Sequence, residues 1–210
     1  MNYKILFELK KFQKQRNKSS KINFSSVFFT DQKRCGDLGE IIKNLPKNSA
    51  VIFREYDLSK EKRQVLALEI FAICKKFGHK FLVAKDLKLA QEIGANGLHF
   101  SDLDAGSNAT FKAPENFKNN RKFIISLACH SLKSTLKAQK SIADLIFLSP
   151  IFATKSHLNA KKLGLKTLAK ACRSSQKPIC ALGGINENNI SSVRKSKACG
   201  IGGIDIFVKK

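Results

Sequence analysis

The feature that most constrains the fold is a regular alternation of short apolar runs with longer segments of helical period, which begins at Phe24. Continuous apolar character, as in Ala50–Phe53, is typical of parallel strands covered by helices. Eight such strand–helix units in a chain of 210 residues predict an α/β fold, a closed TIM (β/α)8 barrel. The predicted strands are Ser26–Thr30, Ala50–Arg54, Lys80–Ala84, Gly97–Phe100, Phe123–Leu127, Asp144–Ser149, Pro178–Leu182 and Ile201–Ile206.

Both ends of the chain depart from a regular barrel. Only Phe207–Lys210 follow the eighth predicted strand, which is too short for a helix, so we predict a truncated C-terminal helix. An extra basic segment, residues 1–23, precedes the barrel domain, residues 24–210, and we predict that it is helical. Two positions are open to it: over the gap left by the eighth helix, or over the lower mouth of the barrel.

The formal net charge is +23, carried mostly by lysines that are spread along the chain. This charge admits phosphorylated ligands, but no aromatic residues interleave with a basic stripe, so we expect no nucleic acid partner.

The apolar patch Ile5–Leu9 is too short to span a bilayer and lacks a cleavage site, so we expect neither a membrane segment nor a signal peptide. The six cysteines form no Cys-x-x-Cys pair and fit a cytoplasmic location.

Two glycine pairs mark a candidate phosphate site. Gly183 and Gly184 end the seventh predicted strand, and Gly202 and Gly203 lie in the eighth. Glycines let backbone N–H groups approach an anion, and the loops after strands seven and eight form the usual phosphate site of such barrels. The alternative is a tight turn with close packing.

Histidine is the residue type suited to proton transfer near neutrality, because its unperturbed pKa is about 6.5. His130 follows the fifth predicted strand and is the best candidate for a general acid or base; local bonding to the next helix is the alternative. His157 lies in a basic loop after the sixth strand. Strand alternation would place His99 in the outer packing, and His79 is predicted to be structural.

The strand ends resemble the thiamin phosphate synthase/TenI family over about Phe28 to Ile206. The order and spacing of the matches carry the resemblance, because each match is short. The matching segments are Phe29-Thr30-Asp31, Phe53-Arg54-Glu55, Gly94-Ala95-Asn96-Gly97-Leu98-His99-Phe100, Cys129-His130-Ser131-Leu132, Ala143-Asp144-Leu145-Ile146, Ser149-Pro150-Ile151-Phe152-Ala153-Thr154 and Leu182-Gly183-Gly184-Ile185.

The resemblance also exposes departures from active synthases, which join a pyrimidine diphosphate to a thiazole phosphate with Mg²⁺. Tyr56 stands at a lysine position, and Lys85-Asp86 stand at an Asp-Arg pair. These changes remove cationic groups and a carboxylate that diphosphate and Mg²⁺ require. A one-residue shift in the alignment would restore Asp86 as the carboxylate. Asp104 is a metal ligand only under the synthase alternative, and Asp205 replaces a serine near the phosphate site.

The resemblance therefore implies the TenI-like branch, whose thiazole tautomerases aromatise a thiazole carboxylate phosphate. That reaction needs a phosphate site and a proton carrier but no metal or other cofactor. In this branch His130 corresponds to the histidine implicated in proton transfer, and we predict that Arg54, Thr154 and His157 bind the substrate. A divergent synthase that uses Mg²⁺ and a non-catalytic barrel that binds a thiazole are the alternatives. The partner is a small phosphorylated thiazole, and a homodimer is one possible assembly.

Overall fold

Eight short parallel strands form the centre of the molecule. The computed structural model describes residues 2–14, 21–101, 122–154 and 161–208. Each strand pairs with the next along the chain and the last pairs with the first, so the sheet closes into the predicted TIM barrel. The strands are β1 (Ser26–Phe29), β2 (Ala50–Phe53), β3 (Lys80–Ala84), β4 (Gly97–Phe100), β5 (Ile124–Cys129), β6 (Leu145–Leu148), β7 (Ile179–Leu182) and β8 (Gly200–Gly203).

Helices cover the outside of this barrel. Short polar side chains cap the starts of several of them, because they accept a hydrogen bond from a backbone N–H that has no partner inside the helix. No helix in the described ranges is long and apolar enough to cross a membrane. The described helices are α1 (Tyr3–Lys14), α2 (Gln32–Cys35), α3 (Leu38–Lys43), α4 (Lys60–Phe77), α5 (Leu87–Glu92), α6 (Leu132–Ala138), α7 (Gly164–Ser174) and α8 (Ile190–Lys195).

Strand side chains alternate between two apolar layers. Val27 and Phe29 of β1 belong to the cluster inside the barrel, whereas Phe28 between them packs in the layer under the helices. The same alternation places Ile52 of β2 and Phe147 of β6 inside. Because this parity continues beyond each strand, it decides which of the following residues can reach the mouth of the barrel.

Helix α1 covers the outer face of the barrel next to β8. It packs against β8 and α8 and buries Ile5, Leu9 and Phe12. Burial would raise the pKa of the Glu8 carboxyl, but hydrogen bonding and charge attraction from Arg194 outweigh this effect and hold the pKa below its usual value. The Nε of Arg194 donates to Glu8 at 2.6 Å, which ties α1 to α8. The basic N-terminal segment therefore completes the outer layer of the barrel.

Local hydrogen bonds shape two segments near the C-terminus, and strand β8 is shorter than predicted. Asparagine side chains bond to the backbone of the segment 186–189, which precedes α8. The backbone N–H of Asn186 donates to the side chain of Asn189, and the N–H of Asn188 donates to the side chain of Asn186. Strand β8 ends at Gly203, where the chain turns so that the Phe207 N–H donates to the carbonyl oxygen of Ile204.

His79 lies buried at the lower end of the barrel, as predicted for a structural residue. Its Nδ1 accepts a hydrogen bond from the backbone N–H of Ser49 at 3.3 Å, and its Nε2 donates to the carbonyl oxygen of Ile42 at 3.2 Å. Both bonds require the neutral ring with the proton on Nε2. Burial lowers the pKa of His79, although the bond to Ile42 opposes this shift.

If α1 is an integral part of the barrel, truncating its buried face should destabilise the whole protein. Phe12 is 0 % exposed and Phe7 on the same helix is 47 % exposed. We expect Phe12→Ala to lower the free energy of unfolding by about 3 kcal/mol, and Phe7→Ala to change it by less than about 0.5 kcal/mol. Urea denaturation followed by circular dichroism measures both. Equal effects of the two variants would mean that α1 does not stabilise the barrel.

The neutral state of His79 predicts a pH dependence of stability. The folded state has the lower pKa, so stabilisation is fully present above the unfolded pKa of about 6.5 and is lost as the pH falls toward the folded value. We expect His79→Gln, which can make the same two bonds without titrating, to flatten the fall in unfolding free energy between about pH 7.5 and 5.5. Superimposable pH profiles for the two proteins would contradict this interpretation.

Candidate active site at the barrel mouth

The residues that follow the strands meet at one end of the barrel. Arg54, His130 and Ser149 continue the inward parity of β2, β5 and β6, so they lie at the mouth. The segments 102–121 and 155–160 also follow strands, and two predicted residues, His157 and Asp104, belong to them and lie outside the described residues. The site is therefore built here from the other strand ends.

Arg54 is a half-buried cation at the rim of the mouth. Its Nε and Nη2 each donate to the carbonyl oxygen of Thr30 at 3.3 Å, and its guanidinium carbon lies 5.4 Å from the centre of the Phe29 ring. Within the described part of the chain, no carboxylate forms an ion pair with Arg54. Burial lowers the pKa of this guanidinium, because removing a charge from water is unfavourable. An anionic ligand would supply the missing negative charge.

An aromatic floor lies beneath this arginine. The rings of Phe29, His99 and Phe147 meet edge to face, with centroids 5.1 to 5.4 Å apart. A Cβ at Gly202 would lie 2.8 Å from Phe29 and 3.2 Å from Phe147, so the glycine makes room for these rings. These rings are almost fully buried and fill the barrel interior beneath the mouth.

The expected outward position of His99 is wrong. Its side chain is 5 % exposed inside the barrel, where Nδ1 lies 3.0 Å from the hydroxyl of Ser126 on the neighbouring strand. Ser126 in turn donates to the carbonyl oxygen of Leu98. The apolar residues on both sides of His99 hid this parity, because a buried parallel strand has no polar alternation from which to read it.

His130 stands exposed at the end of β5, and its ring is oriented by Ser149. Nδ1 lies 3.1 Å from the carbonyl oxygen of Ser149 and 3.2 Å from its hydroxyl. Since a carbonyl oxygen only accepts, the neutral ring carries its proton on Nδ1, and Nε2 is then the basic nitrogen. Ser131, not His130, caps the following helix α6. The arrangement has the form of a general base held by an orienting group.

Gly183 and Gly184 form a tight loop after β7 with φ angles of +95° and +65°. A Cβ at Gly183 would lie 2.9 Å from Pro150, and one at Gly184 would lie 2.2 Å from the carbonyl oxygen of Ala153, so side chains are excluded from both positions. Among the described residues, neither glycine N–H donates a hydrogen bond. The loop therefore combines the close packing of a tight turn with two backbone donors suited to an anion.

The loop after β6 presses against these glycines. The Phe152 N–H donates to the carbonyl oxygen of Gly183 at 3.1 Å, which fixes the two strand ends together. Thr154 follows in the same loop and is half-buried. Gly203 at the end of β8 has no strained φ angle, and an added Cβ there would meet the side chain of Ile206 at 3.0 Å.

The end of β3 does not offer a carboxylate to a metal. Oδ2 of Asp86 accepts from Nη1 of Arg63 at 2.5 Å, and Oδ1 accepts from the Leu89 N–H at the start of α5. Arg63 also donates to the carbonyl oxygen of Ala84 and is 9 % exposed. Shifting the alignment by one residue to recover Asp86 therefore does not recover a free ligand. Within the described ranges, no group of three or more His, Cys, Asp or Glu side chains is arranged for a metal ion.

Three contributors to this region were missed in the sequence. They are Ser149, Arg63 and Arg34. Each contacts a residue that is far away in the sequence; Arg34 and Asp205, for example, are 171 residues apart. Ser149 lies in a segment that resembles the family, so a signal for it existed. Nothing in the local sequence distinguishes Arg63 or Arg34 from other surface cations.

Comparisons with known proteins agree with this architecture. The family model described as thiamine monophosphate synthase matches residues 26–206. A putative thiamine-phosphate synthase 2 of Aquifex aeolicus is 35 % identical over 183 residues, which cover 86 % of this chain and 95 % of the relative. A thiamine-phosphate synthase of Fusobacterium nucleatum is 31 % identical over 182 residues, or 83 % and 86 % of the two chains. The structure of a thiamine phosphate pyrophosphorylase from Pyrococcus furiosus has a TM-score of 0.71 at 22 % identity and covers 90 % of this chain and 88 % of that one.

Arg63 and Arg54 should respond differently to substitution. Arg63 pairs with a carboxylate, so we expect Arg63→Met to lower the free energy of unfolding by about 2 kcal/mol. Arg54 has no carboxylate partner among the described residues. We therefore expect Arg54→Met to leave the free energy of unfolding within about 0.5 kcal/mol of the parent value or to raise it. Urea denaturation compares them. An equal loss in both variants would assign Arg54 to the fold and not to a ligand.

Proposed function

Because the chain belongs to the thiamine monophosphate synthase family, we propose that it acts in thiamin biosynthesis on a small phosphorylated thiazole, as a metal-independent thiazole tautomerase. The observation that carries this proposal is the pairing of His130 with Ser149 at the mouth, where Arg54 also lies without a carboxylate partner among the described residues. A base and a cation are the groups that proton transfer on a bound anion requires.

His130 would move the proton. In an aromatising tautomerisation, a base removes a proton from one carbon of the ring system and a proton is delivered to another carbon, so substrate and product have the same composition. Nε2 of His130 accepts the first proton, and the resulting imidazolium is stabilised because Nδ1–H still donates to Ser149. The imidazolium then serves as the acid. Such a group commonly contributes about 10²- to 10⁴-fold in rate.

The remaining predicted residues would bind the substrate. Arg54 would hold its carboxylate above the aromatic floor, and the N–H groups of Gly183 and Gly184 would hold its phosphate. The positions of Arg54 and of the glycine loop support this division, because they follow β2 and β7, which are three strands apart around the barrel. Thr154 and His157 would assist from the loop after β6, and Gly203 would let the phosphate approach the end of β8. The predicted role of Gly202 is less well supported, because Phe29 and Phe147 fill the space beside it.

The β3 end argues against diphosphate displacement. Mg²⁺ prefers oxygen ligands and commonly uses one or two carboxylates, but both oxygens of Asp86 already have donors. Tyr56 stands where a synthase would place a lysine, and its ring lies 5.9 Å from the Arg63 guanidinium carbon. The described residues therefore do not fit a magnesium diphosphate site, and Asp104 would have to supply it from outside the described ranges.

A divergent thiamine-phosphate synthase is the second candidate. The names of the Aquifex and Fusobacterium relatives favour it. A barrel that only binds a thiazole or thiamin phosphate is a further alternative. The homodimer and the cytoplasmic location stay predictions from the sequence.

One pair of assays tests the proposal. Purified protein receives the thiazole carboxylate phosphate tautomer in one reaction, and hydroxymethylpyrimidine diphosphate, thiazole phosphate and Mg²⁺ in the other. We expect fast aromatisation that chelators do not reduce, and no thiamin phosphate. His130→Gln should lower the tautomerase kcat by about 10²-fold or more with little change in KM. Thiamin phosphate formation, or a fully active His130→Gln variant, would refute the tautomerase.

A further inference from the structure

An acidic residue stands beside the proposed phosphate site. Asp205 follows Gly203 by two positions, in the turn that leaves β8. This turn is fixed, because the Phe207 N–H donates to Ile204 and the Phe207 ring packs edge to face on Phe28. A carboxylate held there would repel a phosphate dianion at the β7 and β8 ends. The structure must offset this charge if phosphate is to bind.

Arg34 makes the contact that can do so. Its Nη2 lies 2.8 Å from Oδ1 and 2.6 Å from Oδ2 of Asp205, so one guanidinium nitrogen meets both carboxylate oxygens. The side chain of Arg34 is 27 % exposed, which makes the pair stronger than fully solvated pairs on the surface. Helix α2 carries Arg34, and the side chain of Asp31 caps its start by accepting from the Arg34 N–H.

The contact with Asp205, which follows β8, places Arg34 on the mouth side of α2. Arg34 lies near enough to Arg54 for charge repulsion to contribute to the lowered pKa of Arg54, after burial as the main cause. Burial raises the pKa of the neighbouring Cys35 thiol to about 11, and the charges of Asp31 and Asp205 add to the shift while Arg34 opposes it. Arg34 thus lies between the β8 end and the β2 end, next to both parts of the proposed site.

We propose that Arg34 is a residue of the phosphate site: Asp205 holds its guanidinium at the β8 edge of the mouth, where it provides the positive charge that the backbone amides of the β7 loop lack. Guanidinium groups suit this role because their planar donors match phosphate oxygens. The ligand is a phosphate monoester dianion. The inference rests on the proposed function, of which the phosphate site is a part.

The neighbouring residue provides a matched control. Lys33 lies on the same helix and pairs with Asp57 at 2.8 Å, but that pair is exposed, at 77 % and 71 % for the two side chains. Lys33→Met removes the same charge as Arg34→Met, so a comparison of the two cancels the general effect of a net charge of +23. Circular dichroism and thermal denaturation first establish that each variant is folded, and Arg34→Lys provides a variant that keeps the charge.

Isothermal titration calorimetry with inorganic phosphate at low ionic strength is the measurement. We expect Arg34→Met to weaken phosphate binding about tenfold or more, Lys33→Met to change it by less than about twofold, and Arg34→Lys to retain part of the affinity. Asp205→Asn should weaken binding less than Arg34→Met does. The double variant Arg34→Met/Asp205→Asn should bind phosphate more tightly than Arg34→Met, because the uncompensated carboxylate is gone.

The outcomes separate this inference from the function on which it rests. If the parent protein binds no phosphate, the proposed phosphate site fails and the role of Arg34 fails with it. If the parent binds phosphate but Arg34→Met and Lys33→Met are alike, the phosphate site stands and Arg34 only ties α2 to the turn after β8. A loss specific to Arg34→Met that the double variant recovers only in part supports the proposal. Full recovery in the double variant would mean that Arg34 only neutralises Asp205, and would overturn it.

Discussion

The pairing of β8 with β1 closes the barrel, and the other features of the structure depend on it. Closure brings Gly202 against the ring of Phe29, so the interior can hold Phe29, His99 and Phe147 together only because position 202 has no side chain. The outer face of β8 then needs a cover. Helix α1 supplies that cover from the other end of the chain, through the buried face that includes Phe12 and through the Glu8–Arg194 ion pair.

The charged side chains near the mouth of the barrel fall into two groups, those in ion pairs and those without a described partner of opposite charge. Asp86 is neutralised by Arg63, Asp205 by Arg34 and Asp57 by Lys33. Arg54 differs, since no described carboxylate pairs with it and it lies above an aromatic ring. A buried charge without a partner lowers stability, and a protein retains it where a ligand supplies the opposite charge. The charge of Asp205, in the turn after β8, is matched in the same way as that of Asp86, because Arg34 pairs with it.

The end of β3 and the ends of β5 and β6 differ in what their side chains offer. Both carboxylate oxygens of Asp86 already accept hydrogen bonds, whereas His130 is exposed and is oriented by Ser149. The proposed tautomerase needs only the latter pair, the phosphate loop and an aromatic floor. Function in this fold is set by the loops after the strands, and the strands themselves serve to position them.

The sequence by itself determined the barrel and the strand ends that carry its chemistry, because continuous apolar runs separated by helical segments have one common architecture. The position of His130, Arg54 and the Gly183 loop at one end of the barrel was predictable for that reason, because each directly follows a strand and all the strands run in the same direction. Only the tertiary structure decided that α1 covers β8, that His99 points inward and that Asp86 is engaged by Arg63. Each of these depends on partners far apart in the chain, or on a parity that uniformly apolar strands do not reveal. Local pattern encodes the elements, whereas packing and charge pairing between distant segments decide which side chains remain available at the mouth.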